Sequence, residues 1–466
     1  MNFDFFINSH PFIGGPQRAE LCTTADGPRL MERHYQIGGC EKAVAALSVA
    51  RVCSAARQAQ RQPACWRADT AKGEPPMLTT MRSGAAALLI LLTASGVSAQ
   101  STDQSLREKL LGLAADPNLV PLVADQVGGF ANLIRLEVST APTGVSGGGF
   151  RFGFDPATGT FVRLSDSFGP TFAERSLTSG KGIVTVGMNW LRSTYNSLGG
   201  LDLGNGELQH ARSVENIPGA TATLRMELSS TSVVSFATYG VSNNLDVGLL
   251  LPWTRVAMAA SSVLSVGNNV LLAGSVPATS ASGVGDIVLM GKYRVWTGRA
   301  GGLAGQVQLF LPSGDEDDLR GLGTTRTLLS AIWSRDGRFS PHANIGYEFW
   351  ADDSAVSSSV AATGQFKYAV GADFVAHPRT TLVITMLGRR VLGGGSPSYQ
   401  VNVVPGFGAI DALVPTDDSL NVLSIAPGVK WNAYSNLVVS GHLLASLVND
   451  GIRANVTPMV GIDWTF

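Results

Sequence analysis

The last eleven residues constrain this chain more than any motif in it. Val456, Pro458, Val460, Ile462, Trp464 and Phe466 alternate without a break with Thr457, Met459, Gly461, Asp463 and Thr465. A period of two sends the two sets to opposite faces of a β-strand. One face is bulky and ends in two aromatics, and the other carries a carboxylate. The pattern recurs upstream. Ala343, Ile345, Tyr347 and Phe349 oppose His342, Asn344, Gly346 and Glu348, and Phe366, Tyr368, Val370, Ala372 and Phe374 oppose Gln365, Lys367, Gly371 and Asp373. Strands with an oily outside and a polar inside are what a transmembrane barrel requires.

Composition points the same way. Only 15% of the 466 residues are Asp, Glu, Lys or Arg, against about 25% in soluble domains. A large soluble sandwich would need more surface charge than that. No run of about 18 apolar residues offers a membrane-spanning helix. The formal net charge of -1 leaves no basic field to gather phosphates, so nucleic acid is excluded as a partner. The expected fold is all-β, a transmembrane antiparallel β-barrel of about twelve strands. Their expected spans are 182-194, 221-239, 245-258, 284-297, 302-312, 326-334, 340-350, 364-376, 380-392, 420-431, 437-448 and 456-466. Short turns such as Ser242-Asn243-Asn244 and Trp296-Thr297-Gly298 alternate with long loops at 313-325, 351-363 and 393-419. That asymmetry separates a periplasmic rim from an extracellular one.

Ahead of the strands the chain changes character. All four cysteines (Cys22, Cys40, Cys53, Cys65) precede residue 66 and form no CxxC pair. Beyond them Met81-Arg82, the apolar run Ala85 to Leu92, and Val97-Ser98-Ala99 have the charge, core and small-residue site of a secretory signal. Residues 1-76 read as a spurious extension from an upstream start, 77-99 as the signal peptide, and Ala99 as the last residue before cleavage. The exported part holds 24 basic and 28 acidic residues and no cysteine, which suits an oxidising envelope. The expected location is the outer membrane of a Gram-negative bacterium. Residues 100-181 form an N-terminal segment, periplasmic or plugging the lumen, ahead of a barrel at 182-466. Leu106, Leu110, Leu111 and Leu113 predict a short helix, and 148-165 a hairpin around Asp155-Pro156-Ala157-Thr158-Gly159. If that hairpin joins the wall, the strand count becomes fourteen.

The polar partners of the outward residues are the candidate lumen lining. On the first half of the barrel they are Asn189, Arg225, Glu227, Asp246, Asp286, Lys292, Arg294, Gln306 and Gln308, with Phe310 on the same face. On the second half they are His342, Glu348, Lys367, Asp373, Lys430, His442 and Asp463. Mixed signs suit a lumen held by ion pairs better than a pore with rings of one sign. The acidic run Asp315-Glu316-Asp317-Asp318 lacks the spacing of a calcium loop and reads as a solvated rim. Ser440 and His442 share a strand face, but that face points inward, away from membrane lipid. No P-loop, dinucleotide fingerprint, HExxH or GxSxG string occurs. No catalytic residue, metal or cofactor is expected.

The chain resembles the outer-membrane channels of the meta-pathway of phenol degradation. The resemblance rests on Phe172-Ala173-Glu174-Arg175, Tyr239-Gly240-Val241 followed by Leu245-Asp246-Val247, then Gly283-Val284-Gly285-Asp286 and Pro312-Ser313-Gly314-Asp315, and spans about 170 to 466. It implies a barrel distantly similar to long-chain fatty-acid transporters, and uptake of aromatic or other hydrophobic compounds. The resulting expectation is a passive outer-membrane channel for small hydrophobic or aromatic solutes. Its partners would be outer-membrane lipid and lipopolysaccharide, and the barrel-assembly machinery, which would engage the strand ending at Phe466. The alternatives are a general water-filled porin and a structural barrel without a permeant.

Overall fold

The computed structural model describes residues 104-466 apart from 115-119, 145-151, 156-159, 164, 352-361, 396, 405-407, 417 and 435. The signal and the proposed spurious extension lie outside the described residues.

Twelve strands form the wall: β1 Val184–Tyr195, β2 Ala220–Gly240, β3 Leu245–Val266, β4 Ile287–Gly298, β5 Gly301–Leu311, β6 Arg326–Ser334, β7 Phe339–Trp350, β8 Gly364–His377, β9 Thr380–Leu392, β10 Leu420–Tyr434, β11 Leu437–Ser446 and β12 Val456–Thr465. Each pairs antiparallel with its neighbours in chain order, and β12 returns to β1. Because β2 also pairs with β3, the ring is closed and has no free edge at membrane depth. Closure matters because an unpaired backbone amide in hydrocarbon costs several kcal/mol.

The faces follow the period-two rule. Val460, Ile462, Trp464 and Phe466 are exposed while Gly461, Asp463 and Thr465 are buried. Exposed apolar side chains continue round the wall through Leu289, Val307, Leu329, Ile345, Val370 and Ile384. Phe339 and Phe349, both exposed, lie about ten residues apart on β7. At ~3.4 Å per residue and a tilt near 40° this separation is about 26 Å, the height of a lipid-facing band. On three successive strands Arg192, Thr231 and Arg255 lie opposite one another and mark where the outward face turns polar.

Two strands outrun the membrane. β2 has 21 residues and β3 has 22, where about 9 to 11 suffice to cross. Their far ends carry the added strands Leu208–Val214 beside β2 and Asn269–Val284 beside β3. A hairpin of Pro397–Val404 and Gly408–Pro415 extends the first of these. The expected loop 393-419 therefore contains a hairpin, and the expected strand 284-297 begins three residues later, at Ile287.

Among its described residues the N-terminal segment holds two α-helices. α1 (Leu106–Leu110) starts in a capping box, with Ser105 accepting from the Glu108 N–H and Glu108 reaching back to the Ser105 N–H. It buries Leu106 and Leu110, each contributing about 1.5 to 3 kcal/mol. α2 (Val120–Thr140) was not foreshadowed by any periodicity. Over residues 131-136 it is buried on every side, as a helix surrounded by protein must be. Ala131, Leu133 and Ile134 share a core with Leu224, Met226 and Leu228 of β2 and Val256 and Met258 of β3. The hairpin of Phe152–Asp155 and Thr160–Arg163 forms its own two-stranded sheet, so the wall has twelve strands and not fourteen.

Candidate functional site: the barrel lumen

Residues 165-181 cross the lumen near the rim of short turns and bond to strands from all sides. Ser167 donates to Asp373 of β8 at 3.3 Å, and Thr171 pairs with His442 of β11 at 2.8 Å. Lys292 of β4 meets Glu174 at 2.9 Å and lies 4.0 Å from Asp246. Ser176 bonds Ser334 of β6, and Ser179 donates its N–H and hydroxyl to Asp246. The amide of Asn344 meets both the N–H and C=O of Glu174. Arg175 donates to the Ser167 carbonyl and approaches Asp336 in the β6–β7 turn. Burial pushes that Asp336 carboxyl up from the usual carboxylate range. Lys430 donates to the Pro170 carbonyl, and Asn189 donates to the backbone of Gly144.

A second layer lies above it. Arg326 is shared between Asp286 and Glu348, at 3.0 Å each. Glu348 also takes Lys367 at 2.6 Å and accepts from Gln365 and Trp350. Glu137 of α2 is clasped by Arg389 and by Arg453, the latter at 2.6 Å. Each of these charges lies against at least one of opposite sign, as low dielectric demands, with some carboxylates shared between two cations.

Between the layers is a cavity of about 300 Å³. Its apolar wall is Leu191, Val234, Leu250 and Val288, with Phe172 and Phe310. Its other wall holds Arg326, Lys367 and Arg389. The Phe310 ring lies 4.4 Å from the Arg326 guanidinium carbon and 5.2 Å from the Lys367 ammonium.

Most candidate lining residues fall on the inner face. Asn189, Asp246, Asp286, Lys292, Gln306, His342, Glu348, Asp373, Lys430, His442 and Asp463 are buried there. Gln308, Phe310 and Lys367 border the cavity. Three candidates do not belong to the lining. Arg225 and Glu227 are exposed on the outer face of β2, with Met226 and Leu228 inside. They lie beyond the row of Thr231, where the outer face meets water and charge no longer marks the inside. Arg294 is at the rim, where it ties down the neighbouring turn through Asn243 and Asn244. Arg326, Arg389, Arg453 and Glu137 complete the charged layer and were not among the candidates.

The acidic run is answered by arginines. Arg107 meets Asp317, Arg135 meets Glu316 at 2.8 Å, and Arg320 meets Asp315 and Asp318. Among the described residues no group of three or more His, Cys, Asp or Glu is placed to hold a metal ion.

A closed twelve-stranded antiparallel ring with a lipid-facing apolar band, short turns on one rim and long excursions on the other defines a β-barrel of the outer-membrane type. Residues 206–386 match the family described as "Putative MetA-pathway of phenol degradation", the family the sequence resembles. No curated protein matches the chain. Among solved structures, an outer membrane channel from Pseudomonas putida F1 is 15% identical, covering 62% of this chain and 98% of its own, with a TM-score of 0.41. The Ralstonia pickettii toluene transporter TbuX is 13% identical over 71% of this chain and 98% of its own, with a TM-score of 0.29. A Pseudomonas aeruginosa FadL homologue is 10% identical over 61% and 90%, with a TM-score of 0.30.

Proposed function

We propose that this protein is a passive channel of the Gram-negative outer membrane for small hydrophobic or aromatic molecules. The observation that carries the reading is the cavity. It is about 300 Å³, with one wall of aliphatic and aromatic side chains, and it lies between two charged layers. A cavity of ~150 Å³ already accommodates benzene, so this one has room for a substituted ring. The family match to phenol degradation supports the same class of solute.

Passage needs no chemistry. The sugar layer of lipopolysaccharide retards apolar solutes, and an apolar pocket inside the wall offers them a route past it. Residues 165-181 are held by hydrogen bonds and ion pairs, and rearranging them would connect the cavity to the periplasm. The same segment disfavours the general porin, whose lumen is open.

Planar-bilayer conductance tests the reading. The intact protein is expected to pass little steady ion current while still binding toluene in detergent. A large steady conductance of the kind shown by open porins would replace this reading with the water-filled one.

A further inference from the structure

The cavity has two chemically different walls. Its aliphatic side is neutral. Its other side belongs to a layer in which, among the described residues, Arg326, Lys367, Arg389 and Arg453 share only Asp286, Glu348 and Glu137. Four cations therefore face three carboxylates. The three guanidinium side chains are almost wholly buried, and Lys367 is the accessible member, its side chain 26% exposed. The buried Nε atoms of Arg326 and Arg453 have no hydrogen-bond acceptor among the described residues. Unbalanced charge in a low-dielectric interior is costly, and an added anion relieves the cost.

The aromatic geometry says where that anion would sit. The Phe310 ring has both Arg326 and Lys367 beside it. A planar ring seated against Phe310 would carry a substituent within reach of both cations. Below the cavity the sign reverses. Glu174, which lines the cavity floor, clusters there with Asp246 and Lys292, and Lys430 and Arg175 lie in the field of Asp373, with Asp463 also close to Lys430. An anion is therefore favoured only in the upper part, with its apolar body directed toward Phe172 and the aliphatic wall.

From this we infer that the cavity takes a monoanionic carboxylate carried on an apolar body the size of one aromatic ring. The inference rests on the channel reading and narrows its solute class. One substituted ring fits within the roughly 300 Å³ present.

Titration calorimetry on the full protein in detergent at neutral pH tests this with benzoate, its neutral isostere benzyl alcohol, and toluene. Benzoate is expected to bind at least tenfold more tightly than benzyl alcohol. Lys367→Met should reduce that ratio below twofold, and Lys367→Arg should keep the ratio. Equal affinity for benzoate and benzyl alcohol would overturn the anion proposal and leave the channel reading standing. Failure of all three probes to bind would overturn both. Decanoate binding a hundredfold tighter than benzoate would overturn the single-ring size. If Lys367→Met does not give the fast-migrating unheated band of a folded barrel, the ratio measured on the unaltered protein decides alone.

Discussion

Replacing Val460 by arginine tests the orientation of the wall at one point. Val460 is 52% exposed on the outer face of β12, opposite Trp190 of β1 and Gly441 of β11. It lies five residues from Thr465 at the rim. With ~3.3 Å per residue and a 40° tilt that is about 13 Å, close to half the apolar band. A charge there should cost about 2 to 4 kcal/mol, a change of about 30- to 900-fold in the folding equilibrium. Val403 supplies the control, since it is 81% exposed but lies on the added hairpin outside the closed ring. Val403→Arg should cost under about 0.5 kcal/mol, the usual range for surface changes. Both are read by reversible urea unfolding in lipid vesicles followed by tryptophan fluorescence. Equal costs at the two sites would show that exposure on β12 is not exposure to lipid, and the assignment of faces would fall with it.

Glu348→Gln leaves Arg326 and Lys367 without their shared carboxylate and should destabilise the barrel by about 3 to 5 kcal/mol, measured in the same unfolding assay. Any side chain larger than hydrogen at Gly428 would collide with the His442 ring, so Gly428→Leu should break the Thr171–His442 contact and raise bilayer conductance over the unaltered protein. His210, on the strand Leu208–Val214, is held by burial at a pKa of about 4, below its ordinary 6.5. The unfolded state therefore takes the proton first. The stability of this strand is complete above pH 6.5 and falls as pH drops toward 4, by at most about 1.4 kcal/mol per pH unit. Hydrogen exchange across 208-214 should show that decline, and His210→Gln should flatten it.

The wall was legible because lipid and lumen impose opposite demands on alternate residues. β7, β8 and β12 obey them so strictly that strand number and faces could be read directly. The rule failed where its physical cause ends. Above the Thr231 row the outside is water, so Arg225 and Glu227 face out and apolar Met226 and Leu228 face in against α2. The apolar cavity wall was hidden for a related reason. Val233-Val234 and Leu249-Leu250-Leu251 are apolar on both faces, since lipid lies on one side and the cavity on the other. Arg389 and Arg390 are adjacent, and only the register with Lys367 and Phe366 tells the lumenal one from the outward one. Glu137 could not be placed because the helix just before it, over 131-136, is buried on every side and gives no amphipathic signal.

A barrel whose cavity takes solutes with an apolar body should pass toluene and not a sugar. The direct measurement is the initial rate of uptake of labelled toluene and of labelled glucose by cells with complete lipopolysaccharide, with and without this protein. Faster toluene uptake with an unchanged glucose rate is the expected result. Equal acceleration of both solutes, or of glucose alone, would contradict it.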